Sequence, residues 1–213
     1  MKSSAPVNIG ILFFFMLLIC AACNTPKYTY MFDSGKYMDF GSGKWLLNQT
    51  KSNSKIFDAE LYSSSENEFR KILGDSLIEI NDLRRSKLIA PEIRFDLEKE
   101  KLLELKEQTG CDYLINVKGN IIKQGLGAVS VPVDDLEFYS SNESSVEIKI
   151  YQLETGIEIS SSSVFAKTID QGELYKTNSV PKLNTSSHTA MLQAAKKLIR
   201  KYDKYSTNEK GGN

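Results

Sequence analysis

The chain has 213 residues, with 27 basic and 27 acidic side chains, and that balance leaves no global field to hold nucleic acid or another polyanion. A single histidine, His188, and three cysteines exclude the usual zinc sites, which take several such ligands, and leave one imidazole for any Ser-His-Asp arrangement. With catalytic groups this sparse, the sequence reads as non-enzymatic and calls for no metal and no cofactor.

Along the chain, Lys2 precedes an apolar run from Ile9 to Ile19. That run is too short for a membrane-spanning helix, which takes about 20 residues, but it suits the core of an export signal. Ala21 and Ala22 then stand directly before Cys23, a pattern that resembles the lipobox of bacterial lipoproteins, in which the thiol is lipidated and the peptide is cut before it. The resemblance implies a signal peptide over residues 1–22 and lipid attachment at Cys23. It also implies a chain anchored in the bacterial cell envelope, on the outer membrane facing the periplasm, and Asn24 with no acidic cluster after it agrees with that side. Cys20 is the weaker candidate, because the bulky Ile19 precedes it. An uncleaved amino-terminal anchor and a soluble secreted product stand as alternatives. Cleavage leaves 191 residues, enough for one core and short for two. Cys111 is then the one cysteine in the body besides Cys23, so packing rather than a disulfide must hold the fold.

Residues 23–43 read as a lipidated tether, but Tyr28, Tyr30, Phe32, Tyr37 and Phe40 are unusual in a flexible spacer, so part of it is expected to pack on the domain or to lie at the membrane interface. Fully extended, 20 such residues reach about 70 Å. The domain itself is expected over 44–205. Lys44 to Lys51 predicts a short first strand. Phe69, Ile72, Leu73, Leu77, Ile80 and Leu83 draw one stripe on a helix over 63–83, with a strand at 76–80 as the alternative because Gly74 weakens the helix. Lys87 to Ala90 is a short strand or an extended link before Pro91. Asp96 is positioned to cap a helix from Leu97 to Thr109, and Gly110 to stop it. A strand follows from Cys111 to Val117. Residues 124–144 read as a long loop or a loose hairpin arm, and Val146, Ile148 and Ile150 as a half-buried strand. Glu154-Thr155-Gly156 turns the chain into a second strand that runs to Thr168. After an irregular stretch, Ser186 or Ser187 caps a last helix through Tyr205, striped by Met191, Ala195, Leu198, Tyr202 and Tyr205. Residues 206–213 read as a disordered tail.

Two local signatures accompany this order of elements: Gln108-Thr109-Gly110-Cys111-Asp112-Tyr113-Leu114-Ile115 with Gly119 beyond it, and Leu153-Glu154-Thr155-Gly156 followed by Ile157, Glu158 and Ile159. Together they resemble envelope lipoproteins of the TolB amino-terminal-like fold, a group that includes the curli secretion lipoprotein and the penicillin-binding-protein activator lipoproteins. The resemblance spans roughly residues 44–205. It implies an α+β domain with a mixed sheet of four to five strands and two or three helices. Both signatures are structural, marking a helix stop and a turn, and neither carries catalysis.

Other motifs have plainer readings. Gly41-Ser42-Gly43-Lys44 lacks the earlier glycine of a phosphate-binding loop and reads as a turn. Cys111 is a small core residue rather than a nucleophile, with Asp112 and no base beside it. Asp134, Asp135 and Glu137 lack the ligand spacing of a calcium loop. His188, in the first turn of the last helix, reads as inert. Lys196, Lys197, Arg200, Lys201 and Lys204 gather on that helix and either meet lipid head groups or form an ordinary solvated face, the simpler reading. The functional expectation is a membrane-anchored scaffold or protein-binding module. A sheet edge or the loop carrying Gly125, Gly127, Pro132, Asp134 and Asp135 would meet an envelope partner. The alternative is an oligomeric component of an envelope secretion or transport assembly, and an enzyme with an undisplayed site comes third.

Overall fold

The computed structural model describes residues 25–86, 89, 90, 92–125, 138–172 and 185–207. The expected signal peptide, Cys23 and the tail from 208 onward lie outside the described residues, as do Gly127, Pro132, Asp134, Asp135 and Glu137.

Seven strands build one mixed sheet: β1 (Lys27–Ser34), β2 (Trp45–Leu47), β3 (Lys51–Ser52), β4 (Leu77–Glu79), β5 (Tyr113–Lys123), β6 (Phe138–Gln152) and β7 (Ile157–Gly172). Their spatial order is β1-β7-β6-β5-β2-β4, with β3 also on β5. From β1 to β5 the neighbours are antiparallel; β2 and β3 pair parallel to β5, and β4 parallel to β2. Among the described residues four α-helices accompany them: α1 (Asp58–Leu73), α2 (Ile80–Ser86), α3 (Lys99–Thr109) and α4 (Ser187–Tyr205). The α+β class is as expected, and the sheet is larger than expected.

Two cores sandwich the sheet. On one face α1 and α4 bury Leu61, Phe69, Leu198 and Tyr202 against Trp45, Ile115, Val117, Val146, Ile148 and Ile150. On the other, α2, α3 and the link before it close Ile80, Ile93, Leu102 and Leu105 over Leu46, Leu114 and Tyr151. Because β-strand side chains alternate, β6 sends Val146, Ile148 and Ile150 to the first core while Glu147 and Lys149 stay half-exposed on the second face. Leu77 joins the first core and Ile80 the second. One helix over 63–83 therefore does not fit: a single stripe faces one way, whereas this segment must serve both faces. The chain instead breaks at Gly74, whose φ of 54° and ψ of −128° leave the helical region, and passes through the turn at 74–76 into β4 and α2.

Other boundaries move for local reasons. Helix α3 starts at Lys99 behind Glu98, with no side-chain cap. Asp96 does not cap it, because its carboxylate accepts from Lys149 Nζ at 2.8 Å. Gly110 does end the helix, at φ 70°. Strand β5 runs on to Lys123, and β6 begins at Phe138, so the last third of the expected 124–144 loop belongs to the sheet. The β6–β7 hairpin turns where predicted, with Gly156 at φ 67°. Ser186 caps α4 by accepting from Thr189 N at 3.1 Å.

The largest departure is at the start. Of the expected tether, Lys27–Ser34 is a full strand paired with β7, and Met38 and Phe40 lie in the first core. Only three residues therefore separate Cys23 from the sheet, a reach of about 14 Å rather than 70 Å.

Candidate functional site

Strand β1 is where the described chain joins the sheet and is also an edge of it. Its sequence, KYTYMFDS, alternates Tyr28, Tyr30 and Phe32, half-buried towards α4, with Lys27, Thr29, Met31 and Asp33, which are exposed. This period of two is a strand signal that reads, at first sight, as stray aromatics in a spacer. On one side the strand pairs with β7, from Lys27 opposite Lys167 to Phe32 opposite Ser162, with a bulge before Ser34. Its other side has no strand partner among the described residues. The opposite edge, β4, is only three residues long.

An edge strand offers a row of unpaired backbone donors and acceptors, and natural sheets blunt such edges with prolines, charges, bulges or short strands. In β1 those devices are confined to the ends. Lys27 and the bulged Asp33 carry charge, while Tyr28 to Phe32 hold neither a charge nor a proline. Met31 is 58% exposed although apolar.

Behind the edge runs a lysine–tyrosine flank. Lys197 Nζ lies 4.8 Å from the Tyr28 ring centre and Lys201 Nζ 5.0 Å from that of Tyr30, while Lys36 Nζ sits 4.4 Å over Tyr205. The Tyr28 hydroxyl donates to Gln193 Oε1 at 2.8 Å. Phe32 meets Tyr202 edge-on at 5.3 Å. Burial raises the phenol pKa of both Tyr28 and Tyr30, so both rings stay neutral. The cations sit over electron-rich ring faces and fix β1 against α4.

The five cations expected to share one face are divided. Arg200 points at α1 and donates twice to Glu68, at 2.9 and 2.8 Å, and Lys71 adds a third bond at 2.7 Å. Glu68 is nearly buried, and its hydrogen bond from Arg200 holds its pKa down at about 2. Lys197 and Lys201 face β1, Lys196 is half-buried and Lys204 is exposed. Of the expected partner-binding loop, Gly125 is described: it closes β5, and its N–H donates to Asn142 Oδ1 at 2.8 Å.

The remaining sequence candidates have structural neighbours. Cys111 is fully buried in the second core. His188 stacks on Phe57 with ring centres 3.6 Å apart, and its Nε2 lies 2.9 Å from the Glu60 carboxylate. The 41–44 turn leads into β2, with Lys44 N donating to Asp112 Oδ2 at 2.8 Å. A cleft of about 440 Å³ opens between α3 and the 90–98 link. Its rim mixes Glu92, Asp96 and Glu104 with Arg94 and Lys101. Among the described residues, no group of three or more His, Cys, Asp or Glu is placed to hold a metal, and no helix is long and apolar enough to cross a membrane.

No protein-family model and no curated protein matches the chain. The chain is similar, distantly, to several solved bacterial structures. The PelC dodecamer of Paraburkholderia phytofirmans is 12% identical, with 83% of this chain and 97% of that one covered and a TM-score of 0.48. A hemagglutinin homolog from Helicobacter pylori is 16% identical over 84% and 89%, at 0.45. Lipoprotein GNA1162 from Neisseria meningitidis is 12% identical over 65% and 86%, at 0.38. Likenesses this distant assign no residue and no activity to this chain.

Proposed function

We propose that this chain is an envelope lipoprotein, anchored through Cys23, whose domain is a non-enzymatic protein-binding module working at the outer edge of β1. The observation that carries this reading is an eight-residue edge strand with an uncharged middle and, among the described residues, no strand on its outer side. Such an edge accepts an added strand: backbone hydrogen bonds supply affinity, and the side chains on alternating faces supply selectivity. The three-residue spacing between Cys23 and Lys27 supports action at the bilayer surface rather than at a distance. The lysine–tyrosine contacts support it as well, because they stiffen the edge before a partner arrives and so lower the ordering cost of binding.

A photo-cross-linking residue placed at Thr29 or Met31 of the full chain in cells tests this, with Ile56, which is 78% exposed on another surface, as the control position. Defined adducts from the β1 positions and none from Ile56 are expected. Equal or absent labelling at β1 contradicts the reading.

A further inference from the structure

Laid antiparallel against itself, β1 is complementary. With Tyr30 opposite the partner's Tyr30, Tyr28 falls opposite the partner's Phe32, Thr29 opposite the partner's Met31, and Lys27 opposite the partner's Asp33. We propose that the occupant of this edge is the β1 edge of a second copy, in that register, about a two-fold axis perpendicular to the sheet. The proposal rests on the edge-binding reading above and names its partner.

Three observations favour it. Lys27 and Asp33 stand symmetrically about Tyr30 in the strand, so this register brings a lysine close to an aspartate at each end of the ladder, the aspartate at the bulge that follows Phe32, and unlike charges close across a strand pair favour pairing. Side-chain alternation is preserved: Tyr28, Tyr30 and Phe32 of both copies fall on the α4 side in one aromatic row, while Met31, 58% exposed, is covered by the partner's Thr29 and its neighbours. The rival ladder of equal length, with Met31 opposite the partner's Met31, sets Thr29 against the partner's Asp33 and leaves both lysines unmatched. Pairing also satisfies the backbone groups of the uncharged middle of the strand and joins two sheets into one. The two amino ends then leave opposite ends of a ladder about 20 Å long. With about 14 Å of chain from each Lys27 to Cys23, both anchors reach one bilayer.

Disulfide trapping under oxidation in cells producing the full chain distinguishes the registers, because residues directly opposite across a strand pair lie about 5 Å apart, close enough to bond directly, whereas diagonal neighbours lie about 7–8 Å apart and are not. Tyr30→Cys is expected to give a covalent homodimer, and Met31→Cys is not. In sedimentation of the detergent-solubilised chain, Lys27→Asp is expected to weaken dimerisation about tenfold by placing like charges at both ends, and Asp33→Lys added to it is expected to restore the dimer. That rescue separates pairing from any loss of fold. A homodimer trapped from Met31→Cys and not from Tyr30→Cys overturns the register. A monomer under all conditions, or a Tyr30→Cys adduct with a different protein, overturns self-pairing. The last result leaves the edge-binding reading intact, whereas no adduct of any kind at β1 removes both.

Discussion

At the scale of single residues, Glu68 is the most constrained charge described. It is nearly buried between α1 and α4, and its pKa falls from 4.5 to about 2, chiefly through the hydrogen bond from Arg200. A carboxylate whose pKa is lowered by folding stabilises the fold above its unfolded pKa, and that contribution is lost as pH falls towards the folded value. Unfolding free energy should therefore drop between about pH 5 and pH 2, and Glu68→Gln should flatten that acid limb. At neutral pH the same substitution should cost up to about 3 kcal/mol, less in so far as the exposed heads of Arg200 and Lys71 are already screened by water. Denaturant titrations across pH, read through the emission of the single buried Trp45, check both. Tyr202 makes a second residue-scale prediction. Its hydroxyl is 2.7 Å from Ser160 Oγ and donates to Ser162 Oγ at 2.8 Å, so Tyr202→Phe takes a donor from the buried Ser162 hydroxyl, while Ser160 keeps its bond to the Gly35 carbonyl, and should cost about 1–2 kcal/mol in the same assay.

Among the elements, β1 depends on the turn that ends it. Gly35 has φ 58°, and a Cβ there would lie 2.1 Å from the Ile159 carbonyl oxygen and 2.6 Å from Ser160 Cβ. Rigid backbone of β7 stands in the way, so Gly35→Ala should cost roughly 3 kcal/mol. It should also raise amide exchange across Lys27–Ser34 more than in β5, as hydrogen–deuterium exchange will read. The elements that sequence makes legible are those with one clear period and a chemical stop. The β6–β7 hairpin turns at Gly156, α3 ends at Gly110, and α4 starts at Ser186. Those it obscures serve two masters. The 74–83 segment must feed both cores, so its apolar spacing imitates one helical stripe, and Asp96 has cap chemistry but is drawn to Lys149 across the sheet. Strand β1 was legible in the alternation of Tyr28, Tyr30 and Phe32. Its place beside β7, some 130 residues on in sequence, is a long-range pairing that no local pattern specifies.

Over the whole molecule, moving the start of the domain from 44 to 27 changes what the amino-terminal segment does. A spacer of 20 residues would let the domain search tens of ångströms of envelope, whereas three residues, on the anchoring proposed above, would hold it against the membrane surface. On that proposal anchor and binding strand would form one device, the lipid fixing the position and the edge meeting whatever shares the surface. Nothing in this account needs turnover, and a screen against cell-wall and lipid substrates should show none above background. The central claim is the anchoring that gives β1 its location. Labelled palmitate, followed with membrane fractionation of the full chain and of Cys23→Ala, tests it most directly. Label and membrane recovery are expected for the wild type, and loss of both in the variant. An unlabelled wild-type chain in the soluble fraction, or label retained after Cys23→Ala, would contradict it.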